Sequence, residues 1–333
     1  MATPDSSTAL FDGILTADEL AYMAGMIDAE GCIAIGRDRY KVTPWHRLQV
    51  SVANTDQRLM TWLTERFGGF VCSVKRHKVE HKHGYQWYIT QEGAASLTRA
   101  LAPYLVIKRA QAELAVSFIV DRKQLPARPE EGHPELTRRE SCYEHMKSLN
   151  RKGFSNRANV TPTRGKLLPS HSDLAYMAGM VDGDGPIILG KTRKRRASGT
   201  IFPKHELKLV VTNTSPTLIE WLFSRFGGTC VTSHGNASWK EKLDWKLNGG
   251  RAAEVLKLIG PHLRMKGEQG RIAQAFITDM VKLKRGSDEE HVAAEIERRE
   301  ALYQRMRALN QCGNAAATTK HQAPAALLGE SIV

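Results

Sequence analysis

Two acidic side chains, each at the end of a duplicated segment, are the first candidates for chemistry in this chain of 333 residues. Residues 20–33 read LAYMAGMIDAEGCI, and residues 174–187 read LAYMAGMVDGDGPI. In each copy a carboxylate stands directly before a glycine, and these carboxylates belong to Glu30 and Asp184. Hard divalent cations such as Mg²⁺ prefer oxygen ligands. The two acids therefore indicate a shared metal site.

The segment that carries each acid is predicted to be an amphipathic helix. Leu20, Met23 and Ile27 recur at helical spacing, and the glycine after each acid is typical of a helix C-cap. An acid at the C-terminus of a helix is disfavoured by the helix dipole. Two such acids also repel each other when their helices pair. A cation would relieve both conflicts, which supports the metal-site interpretation.

Small residues predict that the two helices pack against each other. Ala21 and Gly25 lie four positions apart, and Ala175 and Gly179 repeat this spacing in the second copy. Small side chains at this spacing allow two helix backbones to approach closely. We therefore expect these four residues to form a helix interface that brings Glu30 and Asp184 together. A structural helix with capping acids is the alternative, but the same offset in both copies favours a functional site.

The two segments resemble the nine-residue motif of the LAGLIDADG homing endonuclease family, at residues 23–31 and 177–185. Carried over by position, the family's metal-binding acids fall on Glu30 and Asp184. The resemblance also implies that the backbone carbonyls of nearby residues are further metal ligands, at Ala29 and Gly183. Lys108 and Lys266, in the sequences PYLVIK and PHLRMK, correspond to the family's active-site lysines and are predicted to be catalytic.

The resemblance also implies a fold and an activity. The fold would be α+β, with two pseudo-symmetric αββαββα repeats, each holding a four-stranded antiparallel DNA-binding sheet, joined through the paired motif helices. The activity would be Mg²⁺-dependent hydrolysis of both strands of a long asymmetric DNA site, with Mn²⁺ able to substitute. A chain with both motifs would act as a monomer with internal pseudo-two-fold symmetry. The absence of an intein splicing block favours a free-standing or intron-encoded enzyme.

An internal repeat extends well beyond the motif. Arg66-Phe67-Gly68-Gly69 matches Arg225-Phe226-Gly227-Gly228, and RRESCYEHMKSLN near residue 150 matches RREALYQRMRALN near residue 310. Such steady spacing means two copies of one fold. The predicted organisation is an N-terminal extension (1–15), a first repeat (16–150), a linker (151–171), a second repeat (172–311) and a disordered tail (312–333).

Each repeat is expected to run helix, hairpin, helix, hairpin, helix, with one extra helix at its end. The first copy illustrates the expectation. A capping box at Thr16 and Glu19 opens the first helix. Strands are predicted at 32–39 and 47–54, then at 70–76 and 85–90. Helices are predicted from Asp56 to the glycines at 68–69, and at 93–102, 106–123 and 135–149.

The strands carry many basic and polar side chains, and the chain has a net charge of +13. A strongly basic protein favours a polyanionic partner, and a two-stranded ribbon fits the DNA major groove, where such side chains read base edges. The DNA-binding candidates in the first copy are Arg37, Arg39, Lys41, His46, Arg47, Gln49, Lys75, Arg76, Lys78, Lys82 and Gln86. Those in the second copy are Lys191, Arg193, Arg195, Lys204, His205, Lys208, His234, Asn236, Lys240 and Lys242.

Other features bound the setting of the protein. No apolar run approaches the roughly 20 residues that a membrane-spanning helix needs, so no membrane partner is expected. The five cysteines are scattered without zinc spacing and are typical of reduced thiols. With no visible secretory leader, these features predict an intracellular protein. It would be cytoplasmic if it is bacterial or phage-encoded, and an organelle is the other setting left open.

Three alternative functions remain at this point. An RNA maturase would use the same fold to assist intron splicing, and loss of the acids would favour it, whereas both acids are present. A non-cleaving, sequence-specific DNA-binding protein would be favoured by an added helix-turn-helix, which the terminal helices do not convincingly supply. A duplicated structural protein would show no salt-sensitive affinity for DNA, whereas binding to phosphates weakens steeply with salt.

Overall fold

The structure is a computed structural model that describes residues 15–38, 45–74, 83–120, 132–151, 168–195, 201–233, 242–278 and 288–311. Arg39, Lys41, Lys75, Arg76, Lys78, Lys82, His234, Asn236 and Lys240 lie outside the described residues, so their predicted roles stay predictions. No helix in the described ranges is long and apolar enough to cross a bilayer.

The first half begins with the motif helix and contains one four-stranded sheet. Its elements are α1 (Ala17–Glu30), β1 (Gly31–Asp38), β2 (Trp45–Asn54), α2 (Gln57–Phe67), β3 (Phe70–Val74), β4 (Gly84–Thr90), α3 (Gln91–Leu101), α4 (Arg109–Val120) and α5 (Pro134–Leu149). The sheet is antiparallel throughout, in the order β1-β2-β4-β3.

The second half repeats this arrangement element by element. Its elements are α6 (His171–Asp184), β5 (Ile187–Arg195), β6 (Ile201–Asn213), α7 (Pro216–Phe226), β7 (Thr229–Ser233), β8 (Lys242–Asn248), α8 (Gly249–Ile259), a 3₁₀ turn (Gly260–His262), α9 (Gly267–Thr278) and α10 (Glu289–Asn310). The sheet order β5-β6-β8-β7 is the counterpart of that in the first half. The predicted fold class is confirmed. Helix α6 already starts at His171, inside the range predicted as linker.

Each sheet has one face covered by helices and one open face. Strand alternation places Ile33, Val50 and Trp87 in the core of the first half, and Ile187, Leu209 and Trp245 in that of the second. Each of the two tryptophans also donates its indole N–H to a backbone carbonyl, of Gly68 (2.8 Å) and Gly227 (2.7 Å). The helices therefore fix the orientation of both sheets, and the residues between the core positions face outward.

Helices α1 and α6 cross at their glycines and join the two halves. A methyl group on Gly25 would collide with the carbonyl oxygen of Tyr176, and one on Gly179 would collide with that of Tyr22. Ala21 and Ala175 are fully buried. The four small residues of the two motifs thus lie where the backbones of α1 and α6 approach each other.

The terminal helices α5 and α10 bind the core side of their sheets. Asn150 at the end of α5 donates to the carbonyl of Ile33 (2.8 Å), and Asn310 at the end of α10 donates to that of Ile187 (2.7 Å). In α5, Glu135 accepts from both Arg138 (2.7 Å) and Arg139 (2.6 Å), in a largely buried cluster. These helices therefore complete the layer behind each sheet.

Three sequence predictions differ from the structure in detail. Strand β2 begins at Trp45, two residues before its predicted start. Helix α4 begins at Arg109 rather than at residue 106, because the amides of residues 106–108 bind a carboxylate instead of starting the helix. Its predicted end at residue 123 lies outside the described residues. Gly31 and Gly185 follow their helices with extended backbone (φ −83° and −95°), not in the left-handed region expected of a glycine C-cap. They are needed for space, since a side chain there would overlap Ile27 or Val181.

Candidate active site and nucleic-acid interface

The C-terminal ends of α1 and α6 bring Glu30 and Asp184 together. A Cβ atom on Gly183 would lie 2.5 Å from the Cβ of Ala29 and 3.3 Å from the Cγ of Glu30. The two helix ends are therefore in direct contact beside the two acids, and the carboxyl groups share a hydrogen bond. This places the two sequence-predicted acids, and the neighbouring Ala29 and Gly183, at the pseudo-two-fold axis.

The electrostatics of this acid pair are unfavourable for two negative charges. Both side chains reach the surface, but the surrounding protein still displaces part of the water around their carboxyl groups. This burial first, and then the charge of Asp184, raise the pKa of Glu30 to about 7. Burial also raises the pKa of Asp184, while Lys266 and Lys108 favour the charged forms of both acids. The site therefore favours added positive charge.

The other acid of each motif, Asp28 or Asp182, has an environment different from that of Glu30 and Asp184. Asp28 accepts hydrogen bonds from the backbone N–H groups of Val106 (2.8 Å), Ile107 (3.0 Å) and Lys108 (3.0 Å), and from the hydroxyl of Tyr176 (2.8 Å). It is 3% exposed, which leaves no open side for a ligand.

Asp182 repeats these bonds with the halves exchanged. It accepts from the N–H groups of Arg264 (2.7 Å), Met265 (3.1 Å) and Lys266 (2.9 Å), and from the hydroxyl of Tyr22 (2.9 Å). Each aspartate thus fixes the loop before α4 or α9 in its own half and binds a tyrosine of the other half. The carboxylate charge is balanced by donors, because N–H groups at a helix N-terminus attract anions.

The two predicted catalytic lysines lie behind the acid pair. The ammonium group of Lys108 donates to the carbonyls of Ile27 (2.6 Å) and Asp28 (2.9 Å), and that of Lys266 donates to the carbonyls of Val181 (2.6 Å) and Gly185 (3.3 Å). Burial lowers the pKa of Lys108, and the nearby acids Asp28, Asp184 and Glu30 raise it. Each lysine therefore puts a positive charge at the C-terminus of a motif helix.

The residues present fit a divalent cation. In the described ranges no cluster of three or more His, Cys, Asp and Glu side chains forms a closed metal site. The acid pair is an open site instead, with two carboxylates whose mutual repulsion a cation would relieve. Oxygen-only ligation with room for water and phosphate suits Mg²⁺ better than zinc.

Six of the predicted DNA-binding residues lie on the open faces of the two sheets. Strand alternation and register place them opposite the core positions: Arg47, Gln49 and Gln86 in the first sheet, and Lys204, Lys208 and Lys242 in the second. The guanidinium group of Arg47 donates to the side-chain oxygen of Gln49, two residues further along β2 (3.5 Å). In the second sheet the carboxylate of Glu206 lies 3.8 Å from the ammonium group of Lys204 and 3.7 Å from that of Lys208.

Four other predicted residues lie at strand positions that alternate in phase with the core residues, and so belong to the helix-covered side of the sheets: Arg37, Lys191, Arg193 and Arg195. Arg37 pairs with Glu140 of α5 (2.9 Å), and Lys191 pairs with Glu300 of α10 (2.9 Å). The sequence identifies these residues as basic, but only the pairing register of the strands shows which face of the sheet they occupy.

The two strand histidines grouped with the DNA-binding candidates are buried beside the same helices. His46 is 1% exposed and contacts Glu140 (3.0 Å), and His205 is 5% exposed and contacts Glu300 (2.9 Å). They therefore help to join strand and terminal helix, and they do not face the open side of the sheet.

The open faces also hold residues that sequence reasoning missed, among them Phe70 and Tyr88 in the first sheet and Lys246 in the second. Phe70 and Tyr88 are stacked, with ring centroids 5.4 Å apart and planes at 24°. Lys246 pairs with Asp244 (3.3 Å). Alternation along β4 and β8 could have identified Tyr88 and Lys246, because each stands next to a tryptophan of the core.

The fold and the site define a protein of two α+β repeats with paired acids between them, and known proteins share this plan. Residues 23–112 match the family model described as LAGLIDADG endonuclease. The meganuclease I-SmaMI bound to uncleaveable DNA is similar at 18% identity and a TM-score of 0.60, over 88% of this chain and 100% of that one. The LAGLIDADG homing endonuclease I-GzeII in complex with its DNA target is similar at 14% identity and a TM-score of 0.55, over 89% and 98%.

I-SmaMI bound to an uncleaved DNA target in the presence of calcium ions is similar at 18% identity and a TM-score of 0.56, over 86% and 98%. A comparison with curated protein sequences gives no significant match. The structural matches establish the shared fold, and the family model covers the C-terminal part of the first motif helix, the first sheet and Lys108. The chain thus matches the LAGLIDADG endonuclease family model over its first motif and the sheet that follows, and both halves together have the fold of I-SmaMI and I-GzeII.

Proposed function

We propose that the protein is a homing-type endonuclease that cuts both strands of a long, asymmetric DNA site. The observation that carries this proposal is the meeting of Glu30 and Asp184 on the pseudo-two-fold axis between two open sheets. The first sheet offers an arginine and two glutamines to the duplex and the second offers three lysines, and the net charge of +13 favours a polyanion. The relatives with this fold were solved with DNA targets, which supports duplex DNA as the substrate.

The residues of this chain divide the work of cleavage. Glu30 and Asp184 would hold a divalent cation, with Mg²⁺ favoured by the oxygen ligands, and the backbone carbonyls of Ala29 and Gly183 would be further ligands. A cation bound there would supply Lewis-acid chemistry, namely a more acidic water and charge neutralisation at phosphate oxygens. Lys108 and Lys266 fix the helix ends that carry the acids, and their ammonium groups add positive charge near the developing phosphate charge. Each half serves one strand.

The test is cleavage of a randomised duplex library in the presence of Mg²⁺. The wild type is compared with a double variant, Glu30→Gln with Asp184→Asn, which removes both charges with little change in size. The matched control is Glu65→Gln with Glu254→Gln, which makes the same charge change at exposed positions on α2 and α8. We expect the wild type and the control to yield products that share one sequence, and the active-site variant to bind that sequence without cutting it.

Two other results would contradict the proposal. If the wild type and the active-site variant select the same DNA and neither cuts it, the protein is a binding protein or an RNA maturase. If neither protein binds DNA with a steep dependence on salt, then phosphate contacts are absent, and the acids serve only the structure.

A further inference from the structure

The open face of the first sheet carries an apolar cluster where a DNA-reading surface would be expected to be polar. Phe70 is 49% exposed and Val74 is 39% exposed. Phe70 pairs across the strands with Tyr88, and the two rings stack. Strand alternation puts Val74 on the same side as Phe70. Tyr88 pairs with Ser51 of β2, the strand that carries Arg47 and Gln49 on the same face, so the cluster adjoins the basic part of this face.

The corresponding place in the second sheet has different chemistry. Phe70 and Thr229 each open the third strand of their sheet directly after a pair of glycines. Thr229 pairs with Lys246, as Phe70 pairs with Tyr88. The aromatic stack of one half is thus replaced by a hydroxyl and an ammonium in the other. Val231 is an exposed apolar residue on this face, and it lies across from Asp244.

These two chemistries recognise different bases. In the major groove the 5-methyl group of thymine is the apolar feature of a base edge, and aromatic side chains contact it favourably. Lysine donates instead to the O6 and N7 atoms of guanine. An exposed phenylalanine held flat against a tyrosine loses little conformational freedom when it contacts a methyl group. The stack is therefore preorganised for an apolar contact at the edge of the sheet.

We propose that Phe70, supported by Tyr88 and Val74, is a specificity-determining residue that recognises a thymine methyl group in the half-site bound by the first repeat. At the symmetry-related position of the other half-site, Thr229 and Lys246 accept a base without a methyl group, and Lys246 favours guanine. The two half-sites therefore differ in chemistry at matched positions. This inference rests on the proposed function, because it needs duplex DNA on the open faces.

The experiment uses the DNA site selected by the wild type. Each thymine of that site is replaced singly by uracil, which pairs identically but lacks the methyl group. Binding is measured with the Glu30→Gln, Asp184→Asn variant, and cleavage with the active protein. One uracil, in the half-site of the first repeat, is expected to weaken binding about fourfold, the effect of one buried methyl group. In the Phe70→Ala variant the same uracil is expected to have no effect.

The controls separate this proposal from the function on which it rests. Lys246→Ala, a change in the other sheet, is expected to keep the full response to uracil in the first half-site. If Phe70→Ala responds to uracil as the wild type does, or if the first half-site selects no thymine, the proposal is wrong while endonuclease activity stands. If the wild type neither binds nor cuts duplex DNA, both proposals fail.

Discussion

The two acids of each motif have different surroundings because of helix geometry. Asp28 and Glu30 are two residues apart on α1, which is a rotation of about 200° at 3.6 residues per turn. Asp28 therefore points into the protein, toward the loop before α4, while Glu30 lies at the surface next to Asp184. The same rotation separates Asp182 from Asp184 on α6. One acid of each motif thus accepts hydrogen bonds that stabilise the fold, and the other remains available for a ligand.

The bond between Asp28 and Tyr176 links the two halves, so its loss should weaken their joint folding. Tyr176→Phe removes the hydroxyl at 2.8 Å and is expected to reduce the free energy of unfolding by about 1.5–3 kcal/mol, the contribution of a hydrogen bond to a charged group. Asp28→Asn is expected to cost more, since its amide would face backbone N–H donors. Denaturant unfolding of both single variants and of the double variant measures the coupling energy.

The symmetry of the fold supplies the control for this cycle. Tyr22→Phe removes the equivalent bond to Asp182 and should behave as Tyr176→Phe does, whereas Tyr22→Phe combined with Asp28→Asn should be additive. An additive result for Tyr176→Phe with Asp28→Asn would mean that the two side chains contribute independently.

At the scale of elements, the pairing of α1 with α6 depends on the absence of two side chains. Gly25→Ala would place its methyl group on the carbonyl oxygen of Tyr176 and 3.0 Å from the amide of Met180. Both are backbone atoms, which cannot rotate away. We expect a loss of at least about 2 kcal/mol in the free energy of unfolding, as for overpacked cores. Gly250→Ala in α8, where no atom lies within 4 Å of the added methyl group, is the matched control. Equal stability of the two variants would show that the helices can move apart.

A second prediction at this scale concerns the attachment of α10 to its sheet. Hydrogen bonds from Lys191 first, then from Gln304 and His205, lower the pKa of Glu300 to about 2. Because the folded-state pKa lies below the ordinary value of 4.5, this acid stabilises the fold above about pH 4.5. The contribution disappears as the pH falls toward 2. Wild type and Glu300→Gln should therefore differ in thermal stability at pH 6 and converge near pH 2.

The control for Glu300 is a neighbouring acid on the same helix. Glu297 is exposed, so Glu297→Gln should leave the pH dependence of stability close to that of the wild type. A Glu300→Gln variant that follows the wild-type curve from pH 6 to pH 2 would show that the charge of Glu300 does not help to hold α10 on its sheet.

The sequence predicts most of the elements because their signals are local. The capping box at Thr16, the N-cap at Asp56 and the Gly68-Gly69 stop each identify a helix boundary within a few residues. The sequence could not show that Asp28 binds the amides of residues 106–108, because that contact joins positions about 80 apart. Nor could charge alone separate Arg37 from Arg47, since their faces depend on the register of β1 with β2.

At the scale of the whole molecule, the two halves are related by symmetry but are not equivalent. The guanidinium of Arg264 lies over the rings of Trp62 (4.0 Å) and Tyr22 (5.1 Å), at the boundary of the halves. The matching position in the first half is Val106, which is too short to cover Trp221, and a cavity of about 480 Å³ lies there. The duplication therefore kept the backbone while side chains at the boundary diverged.

The same divergence reaches the acid pair and leads to a prediction about the order of strand cleavage. Glu30 has one methylene more than Asp184, on helices whose ends are packed together, so the two carboxylates reach to different distances from the helix ends that carry them. Misplacing a catalytic group by about 1 Å can reduce a rate by up to ~100-fold. We expect the wild type to cut the two strands at rates that differ by at least about threefold.

The exchange variant, Glu30→Asp with Asp184→Glu, tests whether the acids cause this difference. A duplex carrying a different label on each strand reports both nicking rates in one reaction. If carboxylate length sets the order, the exchange reverses which strand is cut first, on the same DNA. If the same strand remains faster, the DNA sequence or the surrounding side chains set the order. Equal nicking rates in the wild type would contradict the prediction, because they would mean that the difference in carboxylate length affects neither strand.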